Sequence, residues 1–214
     1  MVPYFIGKTI LCDLDDVIGA FGEYISSRLS ARTGIKKTIE DYLTYEFNKY
    51  HEASYEDFLD EVVCSEAFKR IQPTDGALEG LRILKELGYT IRIVTARGAF
   101  VNSYQETLSW LKYHTPHFDS LDVVDPSKES KSDIYKKYAD EGIASLIDDA
   151  THNLVDAIES GIVYRPVCIT RPWNVQDNRF VDGINRFSDL FSFAVNLRNK
   201  AANDGNIDSE LKAV

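Results

Sequence analysis

The chain has 214 residues, 24 Lys+Arg against 34 Asp+Glu, and a formal net charge of −10, a length for one core with a modest insert. Aromatic residues at 12% exclude a disordered chain, and the acidic balance excludes a large phosphate-tracking surface, so no long nucleic acid is expected as a partner. No apolar run approaches the ~20 residues that span a bilayer, the start lacks signal-peptide features, and Cys12, Cys64 and Cys168 are widely spaced; no membrane partner and a cytoplasmic location are expected.

The run Ile6 to Cys12, broken at Gly7-Lys8-Thr9, enters Asp13-Leu14-Asp15-Asp16. It reads as a buried strand delivering carboxylates at its C-terminal tip. Residues 18–73 carry helical patterns only: Ala20 to Thr33, Thr38 to Phe47, and Tyr55 to Ile71 behind a Ser54-x-x-Asp57 capping box. Asp75 to Leu87 predicts a helix stopped by Gly88. Thr90 to Val94 predicts a strand ending at Thr95-Ala96-Arg97-Gly98. A helix follows over Val101 to Tyr113, a strand over Leu121 to Val124, and a helix over Ser132 to Ala139. Ala144 to Ile147 predicts a strand ending in Asp148-Asp149, and Asn153 to Ser160 a helix stopped by Gly161. Val163 to Ile169 predicts a fifth strand, before Arg171-Pro172-Trp173-Asn174. Residues 200–214 lack a hydrophobic period and are expected to form a mobile tail.

This alternation predicts an α/β fold, a three-layer Rossmann-like parallel sheet built from residues 1–17 and 74–199. Residues 18–73 are expected to form a small helical cap inserted after the first strand. Ligands of such sheets bind beyond the carboxyl ends of the strands, where the polar clusters would converge.

Two carboxylates as close as Asp13 and Asp15 need a cation or a shared proton. Joined by Asp148 and Asp149, they make an oxygen-only set that suits Mg²⁺. Each residue alone also has a plainer reading. A strand-end Asp is often a turn former, Thr95 an N-cap, and Lys131 a solvated lysine in competition with Lys128. Arg97 pairs as readily with a surface carboxylate, and aromatics at helical spacing usually pack. Trp173 is expected to pack a loop against the core, and His152 to sit in a first helical turn.

Asp13-x-Asp15-x-Val17, Thr95 after a strand, Lys131 entering a helix and Asp148-Asp149 after a later strand resemble the four motifs of haloacid dehalogenase-like hydrolases. The continuation to Phe21, the short helical insert and Arg171-Pro172-Trp173-Asn174 look most like the 5'(3')-deoxyribonucleotidase branch. The resemblance spans Ile10 to about Trp173. It implies a Mg²⁺-dependent phosphatase acting on (deoxy)nucleoside monophosphates through an aspartyl-phosphate. Asp13 would be the nucleophile, and Asp15 the acid/base whose backbone carbonyl also ligates the metal. Thr95, the Ala96 backbone and Lys131 would hold phosphate, and Asp148 or Asp149 would complete the metal shell. Phe21 would stack the base, opposite Tyr45 and Phe47.

Three positions depart from that branch. Asp16 replaces a usual Gly, Ala150 stands where some relatives carry Arg, and Thr107 sits where a second Lys is expected, leaving Lys112 or Arg97 to stand in. A sugar- or metabolite-phosphate phosphatase, a polynucleotide end phosphatase and a non-enzymatic phosphate-binding scaffold are the alternatives; a homodimer is left open.

Overall fold

A computed structural model describes residues 7–162 and 165–211, with side chains through residue 203. Its strands are β1 (Thr9–Cys12), β2 (Thr90–Thr95), β3 (Ser120–Val123), β4 (Ile143–Asp148), β5 (Pro166–Ile169) and β6 (Arg186–Phe187). They form one parallel sheet in the order β3-β2-β1-β4-β5-β6. Ile6 and Val163, expected at strand starts, lie outside the described residues.

Four helices follow β1: α1 (Phe21–Thr33), α2 (Phe47–Tyr50), α3 (Tyr55–Cys64) and α4 (Ala67–Arg70). The rest of the chain supplies α5 (Ala77–Glu86), α6 (Ser103–His114), α7 (Lys131–Lys137), α8 (Thr151–Glu159) and α9 (Leu190–Leu211). The sheet is covered on both faces. Ile10 and Cys12 of β1 join an apolar cluster with Leu81, Leu84, Trp110 and Phe193, while Leu11 joins a second with Val94, Ile134 and Leu154. Burial on both faces is why Ile10, Leu11 and Cys12 are apolar in succession and do not alternate with polar residues. Among the described residues, no helix is long and apolar enough to cross a membrane.

Three expectations change. The helix predicted over Thr38 to Phe47 is a single 3₁₀ turn at Ile39–Asp41, after which Tyr42 is extended (φ −95°, ψ 119°). The tertiary hydrogen bonds of the Tyr42 hydroxyl to Ser26 and His51 outweigh local propensity there. The helix predicted over Tyr55 to Ile71 breaks at Glu66, whose φ of 54° is left-handed. The Ser54–Asp57 capping box does open α3. The tail expected from Lys200 is helical in backbone through Leu211, as the end of α9. Strand β6 and helix α9 were not foreseen. α9 packs so near α5 that a Cβ on Gly80 would lie 2.7 Å from the Leu190 carbonyl carbon.

The segment from α1 to α4 carries its own apolar cluster, built on Ile25, Leu29, Tyr42, Phe47, Val62 and Phe68. Phe100 and Trp173, from outside the segment, pack against it.

Candidate active site

Strand order reverses between β1 and β4, where the crossovers leave a crevice beyond the strand ends. Cys12 of β1 pairs with Ile147 of β4, so the next residue of each, Asp13 and Asp148, emerge side by side. The Asp13 amide donates to the Ile147 carbonyl at 2.8 Å, which holds that register one residue past the strand.

Asp13 and Asp148 are both buried. Asp13 Oδ1 accepts from the Leu14 amide at 2.7 Å and pairs with Lys131 Nζ at 2.8 Å. Lys131 Nζ also donates to Asp148 Oδ2 at 3.0 Å. Lys131 is the first residue of α7, whose start is fixed by a Ser130–Asp133 capping box. Asp148 further accepts from the Ala150 amide at 2.8 Å and from Asn153 Nδ2 at 2.9 Å. Asp149 Oδ2 accepts from Trp173 Nε1 at 2.8 Å. Its backbone carbonyl accepts from the Tyr45 hydroxyl at 3.1 Å and from Asn174 Nδ2 at 2.8 Å.

One ammonium therefore faces three buried carboxylates. Burial pushes the Asp13 carboxyl well up; Lys131 opposes it, while Asp148, Asp149 and Asp15 add to it. Burial likewise raises Asp149, with Asp148 and Asp16 reinforcing it. Burial works against the Lys131 charge, but Asp13 and Asp148 outweigh it and hold its pKa above the usual lysine value. One carboxylate oxygen from each of Asp13, Asp148 and Asp149 falls within 4.8 Å of the others. Hard oxygen donors with excess negative charge fit a small divalent cation.

Asp15 is not part of that carboxylate group. Its Oδ2 accepts from Arg97 Nε at 2.9 Å and its Oδ1 from Arg97 Nη2 at 2.6 Å, while the Thr95 hydroxyl lies 3.3 Å from Oδ2. Thr95 ends β2 fully buried, eight residues before α6, so it is no helix cap. Arg97 is also buried, and its partner is a site carboxylate and not a surface one. Asp16 takes the left-handed backbone (φ 56°) that its turn requires. Its carboxylate accepts from the Gly22 amide in the first turn of α1, at 2.8 Å. Burial pushes its pKa up to about 7.

These groups open onto a cavity of about 810 Å³. Asp13, Asp15, Ala96 and Lys131 line it together with Phe21, Tyr45, Phe47 and Phe58. Phe21 contacts Phe58 edge-on at 6.4 Å, and Tyr45 and Phe47 rest on Trp173 at 5.3 and 5.7 Å. Every candidate except Asp148 and Thr95 lines this cavity, and those two support its walls from behind. Trp173 packs on Tyr45 and Phe47 of the insert, in addition to holding Asp149. Lys128 pairs with Asp125 at 2.7 Å and stays exposed, leaving the bridge between carboxylates to Lys131.

Sequence reasoning missed Asn153 and Asn174. Asn174 also donates to the Ile169 carbonyl and accepts from the Arg171 amide and Arg186 Nη1. The Arg171-Pro172-Trp173-Asn174 stretch after β5 was the available signal.

The fold is shared with solved structures at low identity. CbbY from Rhodobacter sphaeroides in complex with phosphate matches at a TM-score of 0.54, with 15% identity over 86% of this chain and 95% of that one. D,D-heptose 1,7-bisphosphate phosphatase from B. bronchiseptica, complexed with magnesium and phosphate, matches at 0.54 with 11% identity over 90% and 99%. A haloacid dehalogenase-superfamily hydrolase from Ehrlichia chaffeensis matches at 0.50, with 17% identity over 88% and 94%. A comparison with curated proteins finds no match. Residues 7–190 match the family described as "5' nucleotidase, deoxy (Pyrimidine), cytosolic type C protein", and the chain belongs to this family of haloacid dehalogenase-like phosphatases.

Proposed function

We propose that this phosphatase removes phosphate from (deoxy)nucleoside monophosphates with Mg²⁺, through an aspartyl-phosphate on Asp13. The observation that carries the reading is Lys131 bridging Asp13 and Asp148, beside Asp149, at a cavity that Phe21, Tyr45 and Phe47 also line. Residues 1–17 and 74–199 act as the catalytic core in this reading, and residues 18–73 as its cap.

An Asp13 carboxylate oxygen attacks phosphorus, the P–O ester bond breaks, and the leaving alkoxide takes a proton from Asp15. A water then attacks the same phosphorus and passes a proton to the Asp15 carboxylate, freeing phosphate and Asp13. Lys131 offsets the charge on Asp13 and the phosphoryl oxygens and the Ala96 backbone holds those oxygens, while Thr95, expected as a phosphate ligand, stands behind the cavity wall with its hydroxyl turned to Asp15. Mg²⁺ held by Asp13, the Asp15 carbonyl and the Asp148–Asp149 pair would neutralise the repulsion between carboxylate and phosphate. Phe21 on one side, with Tyr45 and Phe47 opposite, offers a slot for a base, and stacking of this kind is worth about 1–3 kcal/mol per base.

The test is phosphate release from deoxynucleotides, ribonucleotides and sugar phosphates, with Mg²⁺ and with EDTA, for the unmodified chain and Asp13→Asn. Metal-dependent turnover concentrated on nucleotides and lost in Asp13→Asn is the expected result. Turnover spread over sugar phosphates keeps Asp13 as nucleophile and discards the base slot. No release from any substrate overturns the reading.

A further inference from the structure

We propose that Arg97 positions Asp15 for proton transfer and couples it mechanically to the inserted helices. The inference rests on Asp15 being the acid/base of the proposed reaction. Its support is the use made of the guanidinium, a planar fork that holds a carboxylate in one orientation where a lysine could not. Nε and Nη2 grip both Asp15 oxygens, at 2.9 and 2.6 Å. Nη1 donates to the Thr107 hydroxyl on α6 at 3.1 Å. The flat face lies 4.2 Å from the ring centroid of Phe68 on α4. Phe68 in turn packs on Phe21, at 6.3 Å, and on Phe100, at 5.2 Å.

All three nitrogens and one face of Arg97 are thus occupied by protein. Asp15 and Ala96 line the cavity, whereas Arg97 stands behind them and is 2% exposed. Its position excludes the plainer role of a phosphate ligand and leaves it acting through Asp15. Thr107 occupies the place where a second phosphate-binding lysine was looked for, and here it anchors the arginine instead. Phe21, Phe68, Arg97 and Asp15 form a continuous path from the aromatic wall of the cavity to the acid/base, so a group seated on Phe21 reaches the proton donor through packed atoms.

The experiment separates proton donation from phosphate binding by the leaving group. An alkyl phosphate departs as a basic alkoxide that needs a proton, whereas p-nitrophenyl phosphate releases a phenolate that does not. kcat/KM reports only the steps through leaving-group departure, so the later hydrolysis of aspartyl-phosphate does not blur the comparison. For Arg97→Lys, kcat/KM on the best alkyl phosphate of the panel is expected to fall about 10²-fold or more, and on p-nitrophenyl phosphate by less than about threefold. Inhibition by inorganic phosphate should be unchanged. Thr107→Val, which removes only the Nη1 partner, should show the same split on a smaller scale, and it keeps the test open if Arg97→Lys folds poorly. An equal fall on both substrates, weakened phosphate inhibition, or no split in either variant overturns the inference. Inactivity of the unmodified chain on every phosphate overturns the parent reading instead.

Discussion

The molecule holds two buried polar clusters of opposite design. At the strand ends, Asp13, Asp148 and Asp149 share one counter-charge, Lys131, and border a cavity of about 810 Å³. In the inserted helices, the Tyr42 hydroxyl lies 2.6 Å from both Ser26 Oγ and His51 Nε2, and His51 Nδ1 donates to the Ile35 carbonyl at 3.0 Å. Burial pushes the His51 pKa down, which keeps the imidazole neutral at pH 7. This second cluster has no carboxylate; its Tyr42 and His51 are fully buried, and Ser26 lines a separate cavity beside Ser30 and Lys37. Buried charge in excess costs several kcal/mol per ion and persists where a ligand completes it. Buried neutral groups that satisfy one another specify a fold. One cluster has carboxylates in excess of its counter-charge and the other satisfies its own polar groups, a difference that needs no reference to sequence motifs.

Substitution at Lys131 should break that comparison most sharply. Lys131→Met leaves Asp13 and Asp148 without their counter-charge, a loss worth about 3–5 kcal/mol for a buried pair. At roughly 2–4 °C per kcal/mol for a chain of this size, Tm should fall by about 6–20 °C, and turnover should be lost with it. Thermal denaturation of this variant beside Asp13→Asn checks the point. Asp13→Asn removes one of three crowded negative charges and should hold or raise Tm while abolishing turnover. A lower Tm in Asp13→Asn than in Lys131→Met would reverse the assignment of excess charge.

The carboxylate cluster was the legible one. Three of its members sit at the ends of apolar runs, where a change from hydrophobic to acidic residues marks a strand tip, and Lys131 is pinned by a Ser-x-x-Asp cap that can be read directly. The neutral cluster left no such mark. Ser26, Tyr42 and His51 meet only through tertiary contacts over 16 and 9 residues, and the bond network that joins them also stretches Tyr42 out of the helix its neighbours favour. Strand β6 escaped notice because two residues, Arg186 and Phe187, give no period. Its place depends on the Arg186 guanidinium donating to the carbonyls of Asn174, Asp177 and Phe180. Arg97 was legible as a cation near phosphate, but its real partner, Asp15, lies 82 residues away.

Tyr42→Phe should sharpen the comparison from the neutral side. It keeps the ring that packs edge-on against Phe47 at 4.8 Å and Tyr50 at 5.1 Å. It removes one hydroxyl and leaves the buried His51 Nε2 without its partner, while Ser26 Oγ keeps the Lys37 carbonyl at 3.1 Å; the loss costs about 1–3 kcal/mol. Tm should fall by about 2–12 °C. Because no atom of the strand-end cluster is touched, kcat on the best phosphate should remain near that of the unmodified chain. A large loss of kcat with an unchanged Tm would make the inserted cluster part of the chemistry.

The smallest effect belongs to the capping box beneath Lys131. Asp133 Oδ2 accepts from the Ser130 amide at 3.2 Å and from its hydroxyl at 2.8 Å. These hydrogen bonds, with Lys136 alongside, hold the Asp133 carboxyl down at about 2, below its ordinary 3.8. A carboxyl depressed in the folded state binds protons more readily when the chain unfolds, so its stabilisation is complete above pH 3.8 and is lost as the pH falls toward 2. The exposed Asp133→Asn variant lacks that titration. At pH 6 it should melt slightly below the unmodified chain, and the gap should narrow through pH 3.8 and close near pH 2. A gap that stays constant over this range would mean that the box steadies the start of α7 by shape and not by the charge of Asp133.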